Sequence, residues 1–86
     1  MLKVYGSPLC KDCTDCLAAF DKAGVSYEFL DITAQLCHMK AFLSLRDSSA
    51  LFDSVRQAGI IGIPWIVEEE GKVSLSWEGY VSQANA

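Results

Sequence analysis

No apolar run in this chain is long enough to cross a bilayer, and because Met1-Leu2-Lys3 enters a strand at once, no secretory leader is expected. The expected compartment is the cytoplasm, with no membrane partner. Positive charge is also scarce: lysine and arginine number 7 against 11 aspartates and glutamates, for a net charge of −4. A nucleic-acid binder needs a basic face to meet phosphates, so no nucleic-acid partner is expected. The densest acidic run, Glu68-Glu69-Glu70, reads as a solvated turn. Repeats, low-complexity tracts and linker-like stretches are missing, and 86 residues suit one domain, 1–86.

Cysteine is better represented. Of four cysteines, three crowd into residues 10 to 16. Bridges among those three would close tiny loops and staple almost nothing, which argues against a secreted disulfide scaffold. In a reducing compartment such a cluster points to catalysis or to metal binding. A hydrophobic content of 51% supplies a core, and 21% charged residues suit a soluble surface.

Residues 2–5 read as a short buried strand and residues 11–23 as a helix, with Cys13, Cys16, Leu17 and Phe20 at helical spacing and Gly24 as its stop. Residues 25–32 alternate like a second strand. From Thr33 the period is helical again, with Leu36, Met39 or Lys40, Leu43 and Arg46 recurring at three- and four-residue steps. The run 46–49 supplies a break and an N-cap, and a further helix with Leu51, Phe52 and Val55 inward ends at Gly59. The Leu36–Leu43 and Leu51–Val55 stripes read as core. Residues 65–67 and 73–77 read as strands joined by a turn at Glu70-Gly71, and the polar tail from Glu78 as one helical turn or disorder. The order β-α-β-α-(α)-β-β predicts an α/β fold with a four-stranded mixed sheet flanked by helices.

The chemistry concentrates at Cys10-Lys11-Asp12-Cys13, where the first strand gives way to the first helix. Unpaired amide groups and the dipole at a helix N-terminus favour a thiolate, the form of sulfur that attacks a disulfide. Lys11 acts in the same direction and Asp12 opposes it. Cys10 is the expected nucleophile, and Cys13, three residues on, the resolving thiol. Cys13 and Cys16 form a second C-x-x-C, but its place inside a helix makes Cys16 read as a small core residue. A backup resolving thiol or a metal ligand are the other readings of Cys16. Cys37-His38 opens the second helix near the same sheet edge as Cys10. Cys37 could therefore join Cys10, Cys13 and Cys16 in a zinc or iron–sulfur site, or serve as a regulatory thiol. Against the metal, three cysteines so closely spaced on one helix do not easily converge on one ion, so no metal ligands are assigned.

Residues 4–13, residues 21–28 and Gly62-Ile63-Pro64 resemble the glutaredoxin branch of the thioredoxin superfamily, over nearly the whole chain. The resemblance implies a thioredoxin-like fold and a dithiol–disulfide oxidoreductase that reduces protein or low-molecular-weight disulfides. It also implies a cis Ile63–Pro64 bond opposite Cys10, offering the Ile63 backbone to an extended substrate. Pro8, Leu9, Lys11, Ile63, Pro64, Trp77 and Glu78 are the substrate-binding residues it suggests. Two departures bear on the electron donor. Gly6-Ser7 stands where glutathione-using members carry a basic residue, and Ser76-Trp77-Glu78-Gly79-Tyr80 replaces their Gly-Gly-acidic ending. The Trp-x-Gly-aromatic ending is similar to the glutaredoxin-like donors of ribonucleotide reductase, which take electrons from thioredoxin reductase. The expected donor is thus thioredoxin reductase or glutathione, with no bound cofactor. The segment 33–61 is longer than the single helix usual there. Two other classes stand beside the enzyme: a metal or iron–sulfur carrier, and a non-catalytic redoxin-fold module that binds partners along the Pro64 edge.

Overall fold

The computed structural model describes residues 1–85. Its elements are β1 (Leu2–Gly6), α1 (Lys11–Ala23), β2 (Tyr27–Asp31), α2 (Leu36–Ser48), a 3-10 turn (Ala50–Phe52), α3 (Asp53–Ala58), β3 (Trp65–Val67), β4 (Val73–Ser74) and α4 (Glu78–Asn85). The strands form one sheet in the order β2-β1-β3-β4. β1 runs parallel to β2 and antiparallel to β3, and β4 returns antiparallel to β3. The mixed α/β architecture predicted from the element order is the one observed.

Alternation along the central strands distributes the core. Val4 of β1 and Ile66 of β3 face α1, where they meet Cys16 and Phe20, with Trp77, Tyr80 and Val81 packed alongside. Tyr5 and Trp65 face the other way, onto Ile32, Phe42, Phe52 and Val55. Their rings stack at 4.3 Å and 6°, and Trp65 also meets Phe42 and Phe52. α1 stops where Gly24 takes φ 74°, with the Gly24 and Val25 amides donating to the Asp21 and Phe20 carbonyls.

Three expectations change. The tail forms the eight-residue helix α4, because Trp77, Tyr80 and Val81 lie three and four apart and cover Phe20. The phenol of Tyr80 adds a 2.7 Å hydrogen bond to Glu68. β4 is shorter than residues 73–77, because the Ser74 hydroxyl donates to the Ser76 carbonyl and accepts the Ser76 amide, curling the chain away from β3. The stripe on α2 is also displaced. Leu36 is 79% exposed, and Leu43 and the following Leu51 are exposed as well, whereas Phe42 is buried and Met39 and Leu45 pack against the core. The helix starts at Leu36, next to the expected opening at Cys37-His38, because Thr33 turns back onto Asp31 through its amide and hydroxyl.

This register has a direct test. Phe42→Ala should lower the unfolding free energy by about 3–5 kcal/mol, while Leu36→Ala should stay within about 0.5 kcal/mol of the parent. Urea denaturation of the two variants measures both, and equal losses would contradict the placement of α2.

Candidate active site

Parallel pairing sets β1 and β2 in a register where Gly6 lies opposite Asp31, so the two strands end together at one edge of the sheet. The turn 7–9 leaves that edge and delivers Cys10 to the start of α1. Ser7, 2% exposed, organises it. Its hydroxyl accepts the Leu9 amide at 3.1 Å and lies 3.2 Å from the Thr33 hydroxyl, and its carbonyl accepts the Cys10 amide at 3.1 Å. Thr33 in turn donates to Asp31 from both its amide and its hydroxyl. These bonds, the hydroxyl's first, hold the Asp31 carboxyl below the usual carboxylate range. The cysteine turn is therefore tied across the edge to the end of β2.

The two sulfurs of the motif sit in unlike surroundings. Cys10 is partly exposed, and its thiol points at the Ile63 carbonyl, 4.0 Å away. Cys13 is fully buried. It packs under the end of β1, where a Cβ on Gly6 would stand 2.8 Å from its sulfur, so only glycine leaves room. The Ser7 amide donates to that sulfur at 3.5 Å. Burial pushes the Cys13 thiol up to about 12, against the lowering effect of the Ser7 amide and with smaller raising contributions from Cys10 and Asp12. Cys16 lies one turn further into the core and is likewise pushed up to about 12 by burial.

A cavity of about 520 Å³ opens beside Cys10. Leu9, Cys10 and Ile63 line it from the cysteine side, and Met39, Leu43 and Ile60 help form the apolar remainder. The Ile63–Pro64 bond is cis, and Pro64 is buried behind the segment that faces Cys10. Of the other predicted site residues, Pro8 is exposed on the turn and Lys11 forms a 2.8 Å ion pair with Asp15 on the surface of α1. Trp77 lies outside the cavity, its ring edge-on to Phe20 and its indole N–H donating to Asp12 at 3.3 Å. Glu78 is also outside it and accepts the Ser76 hydroxyl at 3.0 Å.

Sequence reading missed the contribution of α2 and of residues 60–61 to this cavity. The one available signal was the apolar pair Ile60-Ile61 set between Gly59 and Gly62. Cys37 does not line the cavity. It is exposed at the start of α2, its thiol directed at the Gln35 side chain and close to His38. Among the described residues no three histidine, cysteine, aspartate or glutamate side chains are grouped to hold a metal ion. All four cysteines are free thiols. Among the described residues no helix is long and apolar enough to cross a membrane.

No protein-family model matches the chain. Over 72 residues, covering 84% of each chain, it is 39% identical to an uncharacterized protein of Haemophilus influenzae. The chain belongs to the family of that protein. A crystal structure of a mutant of the thioredoxin-like protein BC3987 superposes over the whole of both chains with a TM-score of 0.66 at 20% sequence identity. The fold is thioredoxin-like. That fold supplies the frame in which a strand end, a helix start and a cis-proline segment meet at Cys10.

The buried thiols make stability depend on alkaline pH. Cys13 and Cys16 move from an ordinary 9.0 to about 12 in the folded chain, so they hold their protons more tightly folded than unfolded. Their stabilising contribution is complete below about pH 9 and is lost as pH rises toward 12. Tyr27 and Tyr80, also raised to about 12, add to the decline above about pH 10. The urea midpoint of the reduced protein should therefore fall steadily above pH 9, and Cys16→Ala should flatten that slope. A slope unchanged by the substitution would mean Cys16 is not held protonated by burial.

Proposed function

We propose that this protein is a glutaredoxin-like dithiol–disulfide oxidoreductase that reduces protein or low-molecular-weight disulfides through Cys10 and Cys13. The observation that carries this reading is the pairing of a partly exposed Cys10 thiol, 4.0 Å from the Ile63 carbonyl at a cis-proline, with a fully buried Cys13. The thioredoxin-like fold is consistent with it. The cytoplasm suits the reaction, since a reducing compartment returns a dithiol to its reduced form between turnovers.

The Cys10 thiolate attacks one sulfur of the substrate disulfide. The substrate S–S bond breaks, a Cys10–substrate disulfide forms, and the second substrate sulfur leaves as a thiolate. Cys13 then gives up its proton, which the departing thiolate can take, and attacks the Cys10 sulfur. The substrate's remaining sulfur leaves as a thiolate, and the chain holds a Cys10–Cys13 disulfide. Two electrons have passed from the dithiol to the substrate, and an external donor, thioredoxin reductase or glutathione, returns them. Because Cys13 is held near 12, it stays protonated while Cys10 selects the substrate. The extended substrate would pair along the Ile63 backbone, with Leu9 and Pro8 on the rim and Pro64 setting the segment's direction. Trp77 would act through Asp12 in the first turn of α1, and Lys11 and Glu78 would line the outer approach.

Turnover of a model peptide disulfide should fall to the uncatalysed background in Cys10→Ser. Cys13→Ser should instead accumulate a one-to-one mixed disulfide visible by non-reducing electrophoresis. Supplying glutathione with its reductase, thioredoxin with thioredoxin reductase, and thioredoxin reductase alone identifies the donor. Full activity in Cys10→Ser would overturn the mechanism.

A further inference from the structure

The segment between α3 and β3 carries the Ile63 carbonyl that faces Cys10, and its own backbone tie to α3 ends at Ile60, whose amide donates to the Val55 carbonyl at 3.2 Å beside the Gly59 amide on the Arg56 carbonyl at 3.1 Å. It begins at Gly59, with φ 72°, and bends again at Gly62, with φ 91°. Both angles lie where only glycine is relaxed, so a glycine turn stands on either side of residues 60–61. Ile60 and Ile61 are 55% and 57% exposed, so burial of their side chains does not anchor them. Gly62 is seated against Val55 and Phe52, where a Cβ would approach the Val55 side chain to 2.8 Å. The carbonyls of Ile60 and Ile61 lie between these points.

Both carbonyls are taken by one side chain from another element. Arg46, in the last turn of α2, donates from Nε to the Ile61 carbonyl at 2.9 Å and from Nη2 to the Ile60 carbonyl at 2.7 Å. Its third nitrogen, Nη1, faces Asp47 at 3.5 Å. The side chain is 20% exposed and lines the cavity beside Cys10. Arg46 is itself fixed from behind, because Arg56 of α3 donates to the Arg46 carbonyl and, at 3.0 Å, to the Ser49 carbonyl, and also pairs with Asp53. A planar guanidinium reaches two neighbouring carbonyls with parallel, charge-assisted bonds, which a lysine ammonium cannot reproduce.

We propose that Arg46 is a positioning residue that holds the Ile60–Ile61 backbone and thereby sets the Ile63 edge at the distance from Cys10 that an extended substrate requires. This rests on the disulfide-exchange reading. It has a second consequence for specificity. Arg46 is the only charged residue lining the cavity among the described residues, and its donors are committed to protein oxygens. The cavity therefore meets the substrate with apolar side chains rather than with a free cation.

The test compares the parent with Arg46→Met and Arg46→Lys on three disulfides: an uncharged peptide disulfide with flanking residues, oxidised glutathione, and hydroxyethyl disulfide. Arg46→Met should raise KM for the peptide about tenfold, with kcat and the alkylation rate of Cys10 little changed. Arg46→Lys should recover part of that loss. Hydroxyethyl disulfide, too small to pair with the Ile63 backbone, should be turned over as before. Amide exchange at residues 60–63 should accelerate in Arg46→Met. A KM for the peptide unchanged in both variants would overturn the proposal. So would a loss confined to oxidised glutathione, which would make Arg46 a carboxylate receptor, or an equal loss on all three disulfides, which would make its role one of general stability. If Arg46→Met does not fold, Arg46→Lys carries the same comparison. A parent protein with no turnover would instead sink the exchange reading, and the proposal with it.

Discussion

Parallel pairing of β1 with β2 is the constraint on which the rest of this molecule depends. It requires a crossover, which α1 supplies, and it brings the C-terminal ends of both strands to one edge, with Gly6 level with Asp31. β3 runs antiparallel to β1 with Trp65 opposite Tyr5, so its N-terminal end reaches the same edge. The cysteine turn, the Thr33 turn and the cis-proline segment are far apart in sequence, and the sheet alone makes them neighbours. Ser7 joins the first two through its hydroxyl contact with Thr33, and the Cys10 thiol meets the third at Ile63. A slip of one residue between β1 and β2 would turn Val4 and Gly6 to the opposite face and remove the space under which Cys13 packs.

The contrast between the two sulfurs follows from where α1 begins. The first residue of the motif precedes the helix and stays near solvent, while the next, three positions on, has turned inward beneath the strand end. Burial of Cys13 costs little while it is a neutral thiol and a great deal once ionised, which is why its proton is held so firmly. On the exchange reading this ordering is useful, because only one sulfur of the pair is available to an incoming disulfide. Cys16, a turn deeper still, is surrounded by Val4, Phe20 and Ile66 and belongs to the packing.

What was legible in the sequence was local. Gly24 closed α1, the cysteine motif marked its start, and the apolar runs at residues 2–5 and 65–67 were recognisable as strands. The phase of α2 was not legible, because Leu36, Leu43 and Phe42 are all apolar and only the position of Trp65 across the core decides which is buried. α4 was hidden by its polar composition, since the three residues that hold it find their partner on α1, some sixty positions earlier. The cavity was beyond sequence reading for a similar reason. Its far wall comes from α2 and from residues 60–61, and nothing local to Cys10 names them.

The long segment 33–61 binds these features together, because it packs the core and shapes the cavity with the same residues. Phe42 lies against Trp65 and Phe52 on its inner side, yet it also lines the cavity beside Cys10. Trp65 is 3% exposed, and its indole N–H has no hydrogen-bond acceptor among the described residues, so the ring is held by its aromatic contacts. Phe52 and Val55 support Trp65 or its neighbours from one side and seat Gly62 from the other. Close-packed interiors transmit small displacements rather than absorbing them. The aromatic layer under the sheet and the loop that faces Cys10 are therefore one mechanical unit, in which Arg46 supplies the polar connection and Gly62 the apolar one.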